Sequence, residues 1–258
     1  MDEQTFDDTN RKPVPDDRIK PHAQMFAEIE RLLILSKPPS PLPVDLDNRQ
    51  VFSLMILCRC REMLRAVVLL TKNNMLFLAS GLVRSIFESA ATGIWLLEDE
   101  NNINIFWGDQ LHNYQQLVQA RPEIFGNEDW SRLFEDAPFA VRKMPSLEDR
   151  LTPELKEHYV WYRDLCSRDH CSITSICQTM ELVDGLNYVV DGPPNRGVEQ
   201  RHLGYAAMQV FHLTGRVFSD CGFKYDMDFV KLGFQINSLM MRWNPAEGVS
   251  TPEAAPPA

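Results

Sequence analysis

The chain lacks every short motif that announces a common chemistry. It contains no H-E-x-x-H, no Walker loop, no G-x-G-x-x-G and no G-x-S-x-G. The usual signatures of zinc hydrolases, P-loop NTPases, dinucleotide-binding folds and serine hydrolases are therefore missing. Its six cysteines, Cys58, Cys60, Cys166, Cys171, Cys177 and Cys221, form no C-x-x-C pair. They read as small buried residues rather than as zinc ligands. Positive charge is in short supply: 26 Lys and Arg against 36 Asp and Glu give a net charge of −10. That balance excludes broad, sequence-independent binding of nucleic acid through phosphate neutralisation, though not a local basic cleft. No apolar h-region follows the first methionine, and the expectation is a cytoplasmic chain without a secretion signal. Strand-like alternation, internal repeats and a sustained heptad run are also missing.

What is there is helical periodicity, centred on Met75–Glu98, MLFLASGLVRSIFESAATGIWLLE. Apolar residues occupy every side of this wheel, which predicts a helix buried all round, with Asn73 and Asn74 as candidate N-caps. Arg84 and Glu88 sit one turn apart and can pair, and Ser85, Ser89 and Thr92 form a second polar line. The length would span a bilayer, but a mid-membrane charge costs roughly 2.5–3.5 kcal/mol on insertion scales, and here there are two. The expectation is a buried ion pair inside a bundle of helices, with no membrane partner. Such a pair fixes how helices dock, or forms a polar site in the bundle.

The rest of the chain arranges itself around that stretch. Residues 1–17 are acidic and proline-punctuated, and residues 244–258 are rich in Pro and Ala; both are expected to be disordered. Between them, residues 18–243 read as one all-α domain, a single helical bundle around a central buried helix hairpin. The first helix covers Arg18–Ser36, and Pro38–Pro43 (PPSPLP) makes a stiff connector. A helix over about 46–72 carries Arg59, Arg61 and Arg65, with Arg61 and Arg65 sharing a face that is solvated or turned to a partner. Another helix covers 101–119, and an irregular, lid-like stretch covers 122–152. Thr152–Pro153–Glu154 starts a helix that is expected to run through Arg163 and His170 toward Leu182. A loop over 184–197, a helix over 199–219, a break at Cys221–Gly222 and a helix over 226–243 complete the pattern.

The segment His158–Thr174, HYVWYRDLCSRDHCSIT, supplies a second candidate half-site. On an unbroken helix Arg163, Ser167, His170 and Thr174 form one polar stripe. Leu155, Tyr159, Tyr162, Cys166, Ile173 and Cys177 form the neighbouring stripe, which faces the core. His170 then lies at the edge between core and cleft, as a hydrogen-bonded structural histidine or as a proton-transfer group. A metal site from Glu88, His158 and His170 lacks the i, i+3 or i, i+4 pairing of di-iron proteins, and His202 and His212 lie at unhelpful spacing. No metal and no cofactor is expected.

Two resemblances follow from these residues. Arg84-Ser85-x-x-Glu88, followed by Tyr162-x-x-Leu165-Cys166-x-x-x-His170, resembles an uncharacterised bacterial family of helical proteins, a domain of unknown function, over roughly residues 50–220. That resemblance implies an all-helical fold and no particular activity. Arg163–Asp164 followed by His170 is similar to the R-x(4–6)-H signature of HEPN ribonucleases, although this chain is longer than their typical members. This second resemblance implies a helical dimer that cleaves RNA without metal, with His170 as general acid or base and Arg163 on the phosphate. Two readings thus stand: a non-catalytic interaction or regulatory module with a structural polar network of Arg84, Glu88 and His170, with Ser167 beside it, and a HEPN-like ribonuclease. A second copy of the chain and RNA are the partners they call for.

Overall fold

The computed structural model describes residues 16–73, 75–121, 123, 143–169, 180–183, 187–190 and 196–242. Among them are seven helices: α1 (Asp16–Leu35), α2 (Asn48–Lys72), α3 (Leu76–Leu96), α4 (Asn102–Ala120), α5 (Pro153–Asp169), α6 (Arg196–Asp220) and α7 (Met227–Met241). A 3₁₀ turn, Glu148–Arg150, precedes α5. The fold is an all-α bundle, as the periodicity predicts. None of the described helices is long and apolar enough to cross a membrane.

The helix boundaries follow from local chemistry. Asp47 opens α2 with a reciprocal capping box: its Oδ1 accepts from the Gln50 backbone N–H at 2.9 Å, and Gln50 Oε1 accepts from the Asp47 N–H at 2.9 Å. Asn73 does not cap α3; its side-chain amide donates back to the Leu69 carbonyl at 2.8 Å and closes the end of α2. Helix α6 stops in a Schellman turn. Gly222 takes a left-handed φ of 69°, Phe223 N–H bonds Phe218 O at 2.8 Å, and the two phenylalanine rings meet edge to face. Helix α1 begins at Asp16, inside the segment expected to lack structure.

Helices α2 and α3 form the antiparallel hairpin. Ser53 Oγ donates to Gly93 O at 2.8 Å, and Cys60 Sγ lies 3.9 Å from Ile86 O, so one chain position rises as the other falls. Helix α6 packs across both. A Cβ on Gly93 would lie 2.8 Å from Leu213 Cδ1 and 3.2 Å from Ile56 Cγ2, so the three helices meet where a side chain is absent. The fully buried Phe87 ring stacks on Tyr162 at 5.0 Å and on Tyr205 at 5.8 Å, which fastens α5 and α6 to α3.

Three expectations change. Helix α3 is not buried all round: Ala79, Val83, Ile86, Phe87, Ala90 and Ala91 are buried, but Arg84, Ser85, Glu88, Ser89 and Thr92 lie on a half-open face. Arg61 and Arg65 do not share a solvated stripe. Arg61 falls with Leu57 and Leu64 on the inward face, where it is 6% exposed and bonds Ser36 Oγ at 3.0 Å and Leu33 O at 2.8 Å; Arg65 is exposed and pairs with Glu62. Third, Met180–Val183 and Asn187–Val190 are two antiparallel strands, β1 and β2, with Met180 opposite Val190 and Val183 opposite Asn187. The sequence Met-Glu-Leu-Val, then Asp-Gly-Leu, then Asn-Tyr-Val-Val carries β-branched and aromatic residues around hairpin-type turn residues, so strand pairing wins over the helix and loop expected there.

Candidate functional site

The half-open face of α3 is the place where the chain's polar groups converge. Arg84 Nε donates to Glu88 Oε1 at 3.0 Å, one turn along the helix. The Tyr162 hydroxyl, from α5, donates to the same oxygen at 2.8 Å. The Arg84 guanidinium also sits 5.9 Å from the centre of the Tyr162 ring. Arg84 and Glu88 side chains are 31% and 41% exposed, so this is a half-buried pair rather than the buried one expected.

From Glu88 the bonding continues along the helix. Thr92 Oγ1 donates to the Glu88 carbonyl at 2.8 Å and accepts from Arg150 Nη1 at 2.6 Å. Arg150, 9% exposed, also donates through Nε to Pro145 O at 3.2 Å. Beside it the buried Asp109 of α4 accepts from the Met144 N–H at 2.8 Å and from Asn113 Nδ2 at 3.0 Å. One network therefore ties α3, α4, α5 and the strand-less segment 143–150 together.

The electrostatics suit a clamp. Burial pushes the Tyr162 pKa up, and its bonds to Cys166 and Glu88 push the same way, so at neutral pH the phenol stays a neutral donor. Burial is the largest single influence on Arg84 and opposes its charge, but the Glu88 hydrogen bond together with the Cys166, Glu88 and Tyr162 groups outweighs it, and the guanidinium is held more firmly charged. Burial lowers the Arg150 pKa, while Asp109 and Glu88 oppose that shift.

The sequence-predicted residues divide. Arg84 and Glu88 come together, joined by Tyr162 of the expected core stripe. Arg163, the next residue on α5, is exposed and hydrogen-bonds the Tyr159 hydroxyl. His170, the Ser167 side chain and residues 122 and 124–142 of the lid-like stretch 122–152 lie outside the described residues, as do 1–15 and the tail 244–258. Thr92 was visible as part of a polar line on α3. Asp109 and Arg150 carried no pattern, because their partners are distant in the chain.

No protein-family model, curated protein or solved structure matches this chain. The side chains themselves must carry the reading.

A second polar region lies between α5, α6 and the start of α7. It is a cleft of about 340 Å³ with Leu155, Phe211 and Phe229 among its apolar walls and Glu154, His212 and Arg216 among its polar ones. The His158 and His212 rings meet edge to face with centroids 5.6 Å apart. Burial, then the neighbouring His158, pulls the His212 pKa down to about 4, with Glu154 opposing. Burial lowers the His158 pKa as well. Both rings are neutral at pH 7. His212 Nε2 is buried and has no hydrogen-bond partner among the described residues. Helical spacing could not show this pair, since each ring comes from a different helix. Among the described residues no three His, Cys, Asp or Glu side chains gather as metal ligands.

Proposed function

We propose that the chain is a non-catalytic interaction or regulatory module in which the Arg84–Glu88 network fixes how α5 docks on α3. The observation that carries this reading is that one carboxylate oxygen, Glu88 Oε1, takes both the Arg84 and the Tyr162 bond. That oxygen is shared by a guanidinium one turn back on α3 and by a phenol from α5, so it joins two helices. A neutral tyrosine donor bound to a paired carboxylate is a docking device, whereas catalysis asks for a base or nucleophile poised to act.

A double-mutant cycle of Glu88→Gln with Tyr162→Phe tests the reading. Hydrogen bonds to charged groups contribute roughly 1.5–3 kcal/mol, and half-exposure brings the expected coupling below that range, to about 1 kcal/mol in equilibrium unfolding. Zero coupling would remove the docking role. The ribonuclease reading retains one supporting observation, the exposed guanidinium of Arg163 on α5. It is tested by incubating the pure protein and its His170→Ala variant with mixed-sequence RNA, with and without chelator. Chelator-insensitive cleavage that ends in 2′,3′-cyclic phosphate and is lost in the variant would replace the module reading.

A further inference from the structure

In the cleft between α5, α6 and the start of α7, two opposite charges from different helices share a cavity without pairing. Glu154 stands in the first turn of α5 and Arg216 near the end of α6, and both line the space. Each lies in the field of the other. The Glu154 carboxyl is held below its usual range first by its own N–H and the Thr152 hydroxyl, and then by His212 and Arg216. Yet no ion pair joins Glu154 to Arg216. Glu98, just past the end of α3, feels both charges and pairs with neither. Two charges that face one cavity and stay apart can each take a counter-charge from the same small molecule.

Much of the remaining lining is apolar. Ile94, Leu155 and Phe229 are buried, and Phe211 stacks on Phe229 with ring centroids 4.6 Å apart. Gly215 adds bare backbone, where a Cβ would meet only Phe229 Cε1 at 3.9 Å. The volume of about 340 Å³ is at the low end of small-molecule sites, which run from roughly 300 to 1,000 Å³. That size suits one small molecule and not a chain segment. His158 and His212 are neutral at pH 7 and add no charge. A simple anion would meet Arg216 but be opposed by Glu154 and Glu98. A simple cation would meet Glu154 but be opposed by Arg216. A zwitterion satisfies both, with its carboxylate on the donor fork of the guanidinium. The aromatic wall then calls for an apolar group on the same molecule.

We infer that this cleft binds a free α-amino acid with an apolar side chain, its carboxylate on Arg216, its ammonium on Glu154 and its side chain against Phe211 and Phe229. The inference gives the interaction module a small-molecule ligand. It does not rest on the Arg84–Glu88 network, so either can fail alone.

Calorimetric titration of the full chain with L-phenylalanine and L-leucine reads it directly. Both are expected to give saturable binding. 3-Phenylpropionate lacks the ammonium and 2-phenylethylamine lacks the carboxylate. Each should bind roughly 10-fold or more weakly than phenylalanine, because each leaves one charged group without its partner. L-Serine keeps both charges but loses the apolar contact, and should also be weaker. Arg216→Met should weaken phenylalanine by a similar factor and erase its advantage over 2-phenylethylamine, an effect that mere loss of structure would not produce. Glu154→Gln should likewise erase the advantage over 3-phenylpropionate. Gly215→Leu grows a side chain into the open space and should abolish binding while the melting temperature is retained. If a variant fails to fold, the analogue series on the wild type still decides. Absence of saturable binding by both amino acids, a one-charge analogue that binds as tightly as phenylalanine, or binding that survives Gly215→Leu would overturn the inference.

Discussion

Around Glu88 the polar groups are matched to donors from three chain segments, whereas the cleft lined by His212 keeps a buried imidazole nitrogen with no partner among the described residues. Both regions lie against α5, and both place polar groups between packed helices. The difference shows how this bundle handles polarity. Where helices must dock in one orientation, hydrogen bonds lock the contact. Where a cleft of about 340 Å³ remains open, the same cost of desolvation is left standing. Substitutions in the two regions should therefore move stability in opposite directions.

The largest expected effect is in the network. Arg150→Ala removes the donor to Thr92 and to Pro145 and a buried positive charge that lies in the field of Asp109 and Glu88. Breaking a buried charge arrangement costs typically 3–5 kcal/mol; Arg150 and Asp109 make no direct salt bridge, so about 3 kcal/mol is expected. Urea unfolding measures it. A loss below about 1 kcal/mol would mean that segment 143–150 docks by other means, and the contrast with the cleft would collapse.

The next effect belongs to the cleft and appears as a pH dependence. An unfolded histidine titrates near 6.5, while folded His212 titrates at about 4. Between these values the unfolded chain holds more protons, so stability falls as pH falls and is fully present above the unfolded pKa. From pH 7 to pH 5 His212 accounts for a loss of about 2 kcal/mol, and His158 adds to it in the same sense. His212→Leu should remove most of that slope. At pH 7 the same variant should be neutral or more stable by up to about 1 kcal/mol, because the unpartnered nitrogen is gone. A clear destabilisation at pH 7 would show that Nε2 has a partner and that the two regions are alike.

How much of this could be seen in the sequence follows from the range of each interaction. Arg84 and Glu88 are one helical turn apart, so their pairing was legible, and Tyr162 was legible as a core-facing residue of α5. The exposure of the pair was not, because an all-apolar wheel does not tell which side lacks a neighbour. Arg61 shows the same gap: spacing sets it on one face with Arg65, but the Ser36 and Leu33 groups that receive it come from the end of α1 and the residue after it. Arg150, Asp109 and the His158–His212 contact depend on chain segments meeting across the bundle. No periodicity within one helix encodes such a meeting. The β1–β2 hairpin was missed for a different reason: four-residue strands are too short for alternation to stand out against a long helical background.

The smallest expected effect sharpens the comparison at a single methyl group. Gly215 lines the cleft from α6, and a Cβ placed there would meet only Phe229 Cε1, at 3.9 Å. That is an ordinary contact, so Ala fits without displacing anything. Glycine inside a helix is disfavoured relative to alanine by roughly 0.5–1 kcal/mol, so Gly215→Ala should stabilise by about that amount. Gly233, on α7, gives the opposite case: a Cβ there would fall 2.3 Å from Cζ of Phe211. That ring is stacked on Phe229 at 4.6 Å and has little freedom to withdraw, so Gly233→Ala should destabilise by about 1–3 kcal/mol despite the same gain in propensity. The two variants differ by one methyl group each and lie on either side of the same aromatic pair. Melting temperatures that shift in opposite directions would show that the cleft is open space beside a tightly packed core. A drop for Gly215→Ala comparable to that for Gly233→Ala would mean the cleft is closed in solution, and the unpartnered His212 would then require a partner from within the chain.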